Sequence, residues 1–141
     1  MTADPPTIQR MSPEEERQLA KHRSFVESLV PEEAISGSYA TAAGKLDVLH
    51  AVLDAGFFGL RKRQELDSIG VVLGDAFVQE LGMEWVMAED PGGRDPAIVL
   101  PGTSVVLYPL TMIRHRVESR ERNDIREVFE GITSEIRQLT N

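Results

Sequence analysis

The hydrophobic period of this chain changes at Gly82, and that change restricts what it can fold into. Before Gly82 the apolar residues recur at helical spacing. Leu66, Ile69, Leu73, Phe77 and Leu81 share one face of a helix expected over residues 61–81. Val71, Val72 and Val78 add apolar surface on its other sides, so this helix should be central and widely covered. Gly82 suits its C-terminal stop. Gly70 and Gly74 stand four apart within it. Each glycine costs a helix interior about 1 kcal/mol against alanine, so a neighbouring element is expected to approach closely there. After Gly82 the apolar runs become short and are separated by turn residues. Residues 83–89, with Trp85 and Val86, suit a strand, and residues 90–96 read as a turn by their Asp, Pro and Gly content. Residues 97–100 are continuously apolar, as a central strand requires. Pro101-Gly102 is a second turn, residues 104–108 a third strand, and Pro109 closes it. Three short strands joined by two short turns make an antiparallel meander.

Helices flank this meander on both sides in sequence. Ser12, Pro13 and Glu15 form a helix start with a capping box. Leu19, His22, Phe25, Val26 and Leu29 follow on one face, and Pro31 interrupts. Residues 35–44 read as a connector anchored by Tyr39. A second helix carries Leu46, Leu49, Leu53 and Phe57, and Gly56 and Gly59 break it. Beyond the meander, Thr111 caps a short helix over 112–118, and residues 118–122 form a charged loop. The last helix opens on Asp124 and Glu127 as a second capping box. Its stripe of Ile125, Val128, Phe129, Ile132, Ile136 and Leu139 is expected to cover one face of the meander. The expected class is α+β: a helical N-terminal half packed with a three-stranded antiparallel β-meander and a C-terminal amphipathic helix. Residues 1–11 read as a flexible tail and 12–141 as a single domain.

Several blocks in this order resemble a known family. They are Ile69-Gly70-Val71-Val72-Leu73-Gly74-Asp75, Leu81-Gly82-Met83-Glu84-Trp85-Val86, Gly93-Arg94-Asp95-Pro96-Ala97, Leu100-Pro101-Gly102-Thr103 and Tyr108-Pro109-Leu110-Thr111-Met112-Ile113. Together, over about residues 69–129, they resemble the bacterial family called domain of unknown function 3806. The resemblance implies the order helix, meander, helix. It brings no activity, cofactor or catalytic residue with it.

Composition narrows the function classes. A chain of 141 residues buries enough surface to fold without disulfide or metal, and this one has no cysteine, which fits a reducing compartment. Residues 1–11 are polar and do not read as a secretory signal, and the longest apolar run, 69–78, is interrupted by Asp75. A cytoplasmic protein without a membrane span is expected. The net charge of −8 disfavours nucleic acid and suits either plain solubility or a basic protein partner.

The candidate residues fall in two groups. Glu89, Asp90, Arg94 and Asp95, with Glu84 nearby, make an acidic stretch that either builds the turn or contacts a partner. Its spacing does not match a calcium loop, and no metal is expected. Arg114 and Arg116, flanking His115, are candidates for binding an anion, although Glu118, Glu121 and Asp124 lie close enough to balance them. His22, His50 and His115 show no zinc-helix spacing, and no elbow motif marks a catalytic serine. No catalytic residue and no cofactor are assigned. The expected function is a non-enzymatic interaction module, immunity-like in form, that masks a basic partner. The alternative is an enzyme or small-ligand domain with a pocket between the meander and the N-terminal helices, near Asp95 and Arg114.

Overall fold

The long apolar helix of the sequence becomes the axis of the molecule. In the computed structural model, which describes residues 5–55, 63–119 and 124–140, it runs Arg63–Leu81 and is here α4. Leu66, Ile69, Val71, Val72, Leu73, Ala76 and Phe77 are all buried, on every side of the helix. Three helices pack most extensively against it: α1 (Pro13–Glu27), α3 (Ala42–Ala55) and α5 (Pro109–Glu118). The two glycines explain how α5 and the sheet come so near. A Cβ on Gly70 would stand 2.6 Å from Leu110 Cα, and one on Gly74 would collide with the ring of Trp85. Gly82 ends the helix with φ of 70°, in the left-handed region that glycine enters without strain. Phe57, Gly56 and Gly59 lie outside the described residues, as does the start of α4 expected at residue 61.

The starts of α1 and α6 follow the sequence. Ser12 accepts the N–H of Glu15 at 3.1 Å, and the Glu15 carboxylate accepts the N–H of Ser12 at 2.9 Å. Asp124 accepts the N–H of Arg126 at 2.9 Å at the start of α6 (Ile125–Thr140). The connector after Pro31 contains the short helix α2 (Glu32–Ile35) and a 3₁₀ turn, Ser38–Ala40, which buries Tyr39. Leu29, expected on the apolar face of α1, is 38% exposed. It sits past the end of that helix, where the chain leaves the α1 surface.

The sheet has four antiparallel strands, in the order β1 (Thr7–Gln9), β2 (Glu84–Asp90), β3 (Gly93–Val99) and β4 (Val106–Leu107). The fourth strand comes from the segment expected to be a flexible tail. Residues 7–9 pair with residues 87–89 of β2, because that edge of the hairpin offers unpaired backbone groups. The turn expected over 90–96 is also shorter. Asp90 Oδ1 accepts the N–H of Gly92 at 2.8 Å, and Gly93 takes φ of 140°. The reversal is therefore complete by Gly93, and Arg94, Asp95 and Pro96 continue as strand, opposite Glu89, Ala88 and Met87. Pro96 is tolerated there because β4 pairs only with Ile98 and Val99 and needs no N–H from it. The third meander strand shrinks to two residues, since Thr103 N–H bonds to Leu100 O and holds the preceding residues in a loop. Pro109 opens α5, where a proline at the first position loses no helical bond, so Thr111, expected to cap a helix over 112–118, lies inside the first turn and caps nothing.

The last helix does not cover the sheet. It packs on α3 and α4, where Phe129 meets Phe77 with ring centroids 4.5 Å apart. Ile125, Phe129 and Ile136 are buried, while Leu139 projects with 73% of its surface exposed. Among the described residues no helix is long and apolar enough to cross a membrane.

Candidate functional site: the outer face of the sheet

Strand alternation divides the candidate residues between two faces. Trp85, Met87 and Ile98 point toward the helices and are largely buried. Trp85 Nε1 donates to Asp75 Oδ1 at 3.0 Å, and Arg23 donates to the same carboxylate at 2.7 and 2.9 Å. Asp75 thereby joins α1, α4 and β2. Glu89 and Arg94, paired across the hairpin, belong to this same side. Arg94 donates to both oxygens of Glu15, at 2.8 and 2.9 Å, and also to Gln9. Gln9 donates to Glu89 at 3.1 Å. The Arg94 guanidinium, helped by the Ser12 N–H, holds the Glu15 carboxyl at about 2. These two candidates thus tie β1 and the start of α1 to the hairpin.

The other face carries Glu84, Val86, Ala88 and Asp90 on β2, then Asp95, Ala97 and Val99 on β3. Ile8 joins it opposite Ala88, and Val106 joins it opposite Val99. Val86, Ala88 and Ala97 are buried and form an apolar cluster with the half-buried Val99, Val106 and Tyr108, separate from the main core. All its members are strand residues except Tyr108, the residue after β4, and no helical residue belongs to it among those described. Ile8, at its edge, is 42% exposed. Asp90 and Asp95 border it beside Tyr108, whose hydroxyl pKa is raised by burial and then by these two carboxylates. Asp95 is exposed, whereas Asp90 also holds the hairpin turn. The four acidic-stretch candidates are therefore split: Asp90 and Asp95 flank this apolar cluster, and Glu89 and Arg94 are engaged in the fold.

The arginine candidates lie elsewhere. Arg114 is half-buried on α5, with Nε 3.2 Å from Asp67 Oδ1 of α4. The two atoms are close but misaligned, and neither completes a directed hydrogen bond. Arg116 also has an interaction partner. A recess between the start of α1 and β2 is lined by Arg10, Glu16, Leu19, Arg23, Glu84 and Trp85 among others. A second, of about 300 Å³, holds Arg23, Tyr39, Lys45 and Asp75. Its cations are spoken for: Arg23 binds Asp75, and Lys45 donates to the carbonyls of Tyr39 and Ala40 at 3.1 and 3.2 Å. Neither Asp95 nor Arg114 lines either recess. Among the described residues no three of His, Asp and Glu come together as metal ligands would.

One contact has no sequence signal, because its partners are 46 residues apart. His22 Nδ1 lies 2.7 Å from Ser68 Oγ. Ser68 is 3% exposed and donates to Gln64 O of its own helix at 3.0 Å. This pair is an interhelical hydrogen bond without substrate access. Burial pushes the His22 pKa down, and Asp67 partly opposes this. The unfolded chain then binds a proton more readily than the folded one. Stability from this group is fully present above the unfolded value of about 6.5 and is lost as pH falls from there through the lower folded-state value. A His22→Gln variant is expected to show a flatter dependence of melting temperature on pH between about 7 and 5 than the parent. Equal slopes in the two proteins would assign the dependence to other groups.

Comparison with known proteins agrees with this architecture. Residues 45–129, more than half of the chain, match the family described as "Domain of unknown function (DUF3806)". The chain belongs to this family. The DUF3806 segment begins within α3, earlier than the blocks that suggested it, and runs through α4, the hairpin, β4 and α5 to Phe129. It contains the β2, β3 and Tyr108 portions of the outer face, whereas Ile8, Gln9 and Glu15 lie before it. A crystal structure from Bacteroides thetaiotaomicron VPI-5482 is similar, with a TM-score of 0.74 at 19% identity. The match covers 94% of this chain and 48% of that one, so this chain spans about half of that protein's length. The likeness is one of fold. No curated protein matches the chain.

Proposed function

We propose that this DUF3806 domain is a protein-interaction module that binds a basic partner through the outer face of its sheet. One observation carries the reading: Ile8 and Asp95 are exposed beside an apolar cluster of Val86, Ala88, Ala97, Val99, Val106 and Tyr108 that holds no helical residue among those described. Exposed apolar surface rimmed by polar groups is the usual mark of an interaction surface, and Ile8 with the half-buried Val99, Val106 and Tyr108 supplies it here. Apolar contact would supply affinity, and the carboxylates would set encounter rate and partner choice. Masking a basic protein, as immunity-type proteins do, is one form of such binding. The recess around Asp75 supports a small-ligand role less well, because its cations Arg23 and Lys45 are matched from within the fold.

The test is affinity capture from the host lysate with quantitative mass spectrometry, using the parent and an Ile8→Glu/Val106→Glu variant of unchanged circular dichroism. The reading expects a basic protein retained by the parent, released as salt rises, and lost from the variant. The same proteins captured equally by both would overturn it.

A further inference from the structure

We infer that the open edge of β2 is a site for an extended peptide, which adds a strand beside Trp85; this second site on the sheet stands independently of the outer-face reading. β1 pairs only with Met87, Ala88 and Glu89, although β2 begins at Glu84. The capping box at Ser12 starts α1 and draws the chain off the edge after Gln9. Glu84, Trp85 and Val86 are therefore left without a neighbouring strand on that side among the described residues. A sheet edge of this kind presents unpaired N–H and C=O groups, and an added strand satisfies them.

The register says which groups are open. In an antiparallel ladder, residues whose backbone groups face one neighbouring strand alternate with residues whose groups face the other. Pro96 stands opposite Met87 and has no N–H to exchange with it, so the Met87 groups face β1. Trp85 comes two residues earlier and faces the same way, beyond the end of β1. Among the described residues no turn or loop backbone donates to it or accepts from it. Its N–H and C=O match the pair of bonds that one facing residue exchanges in antiparallel pairing.

The recess beside this edge selects the side chains. It measures about 840 Å³, in the range of clefts that hold ligands, and Arg10, Met11, Glu16, Leu19, Glu84 and Trp85 are in its lining. In a peptide running in the direction of β1, the residue facing Trp85 turns its side chain to the helix side, toward Met11 and Leu19, and should be apolar. The next residue faces Glu84 on the outer side. Glu84 is exposed, and opposite charges pair favourably across strands, so lysine or arginine belongs there. Arg23 is bound to Asp75, which leaves Glu16 and Glu84 against Arg10 in the recess. A second copy of this chain is a poor occupant. Its own edge is set back beside α1, and two such edges cannot close to the ladder spacing of about 4.8 Å.

Hydrogen exchange and a defined probe test this. In the free domain the Trp85 amide should exchange about 100-fold or more faster than the Met87 amide, which β1 holds. The labelled domain is then titrated with a capped peptide, Ser-Val-Leu-Lys-Ser, and followed by amide shifts and exchange. The peptide should move the Trp85 amide downfield and slow its exchange. A version with N-methyl-leucine keeps every side chain but loses the donor that faces Trp85, and should bind about tenfold or more weakly. A version with glutamate for lysine should bind less well than the parent peptide, and Glu84→Lys in the domain should reverse that order. Glu84 is exposed at the first residue of its strand, so this variant keeps the fold. A Trp85 amide as protected as that of Met87 in the free domain would overturn the inference. So would no shift at Trp85 with about 1 mM peptide, shifts confined to Ile8, Ala97 and Val106, equal binding of the N-methyl peptide, or an order unchanged by Glu84→Lys.

Discussion

Replacing Phe129 by alanine is expected to cost about 3–5 kcal/mol of unfolding free energy, the range of large aromatic truncations in cores. Phe129 is 5% exposed, and its ring meets that of Phe77, itself fully buried on α4. The truncation empties the joint between α6 and the central helix. Few neighbours can move in, because Phe77 is held on a helix packed on every side. Urea denaturation of parent and variant measures the loss. A value below about 1 kcal/mol would mean that α6 adds little to the fold, and that its stripe serves some other contact.

The second large effect comes from adding one methyl group. Gly70→Ala is expected to destabilise by roughly 2–4 kcal/mol, because the new Cβ would stand 2.6 Å from Leu110 Cα. A backbone atom cannot rotate away, so α5 must shift as a body. Gly131→Ala on α6 is the matching control. Nothing lies within 4 Å of a Cβ built there, and alanine is the better helix former, so a gain of up to about 1 kcal/mol is expected. The same chemical change thus has opposite signs on two helices of one protein. A Gly70→Ala variant as stable as the parent would show that the α4–α5 contact can open without cost.

Both predictions rest on features that were partly legible beforehand. The burial of Phe129 follows from the helical spacing of Ile125, Phe129 and Ile136 in the sequence. What that stripe packs against does not. The expectation was the meander, and the partner is the α3–α4 pair, because an amphipathic face specifies that it is covered and not by what. The same applies to Gly70 and Gly74. Their spacing announces a close approach, while the identities of Leu110 and Trp85 depend on how α5 and β2 return to the helix.

The candidate site shows a sharper limit. Glu89, Asp90, Arg94 and Asp95 read as one acidic stretch, since adjacency in sequence says nothing of side until the register is known. Pairing Glu89 with Arg94 and Ala88 with Asp95 puts two of the four on the helix side of the sheet, where both stay exposed, and leaves the other two on the outer face. Arg94 looks like the lone base of a loop, yet its partners Gln9 and Glu15 come from some 80 residues away. The outer face could not be seen as apolar either, because Ile8 reads as part of a loose tail. A three-residue strand has too little pattern to announce itself and becomes a strand only by pairing with an edge that already exists.

The sequence by itself determined the class of fold, the central helix, the starts of α1 and α6 and the hairpin. These depend on local period, on Ser12 and Asp124 at helix starts, and on glycine at Gly82 and Gly93, all of which act over a few residues. Tertiary structure decided the fourth strand, the seat of α6, the His22–Ser68 bond and the division of the acids between two faces. Each of these joins or sorts residues through pairings that only the folded chain brings together. Such contacts depend on which surfaces remain uncovered after local structure has formed, and no window of sequence holds both partners.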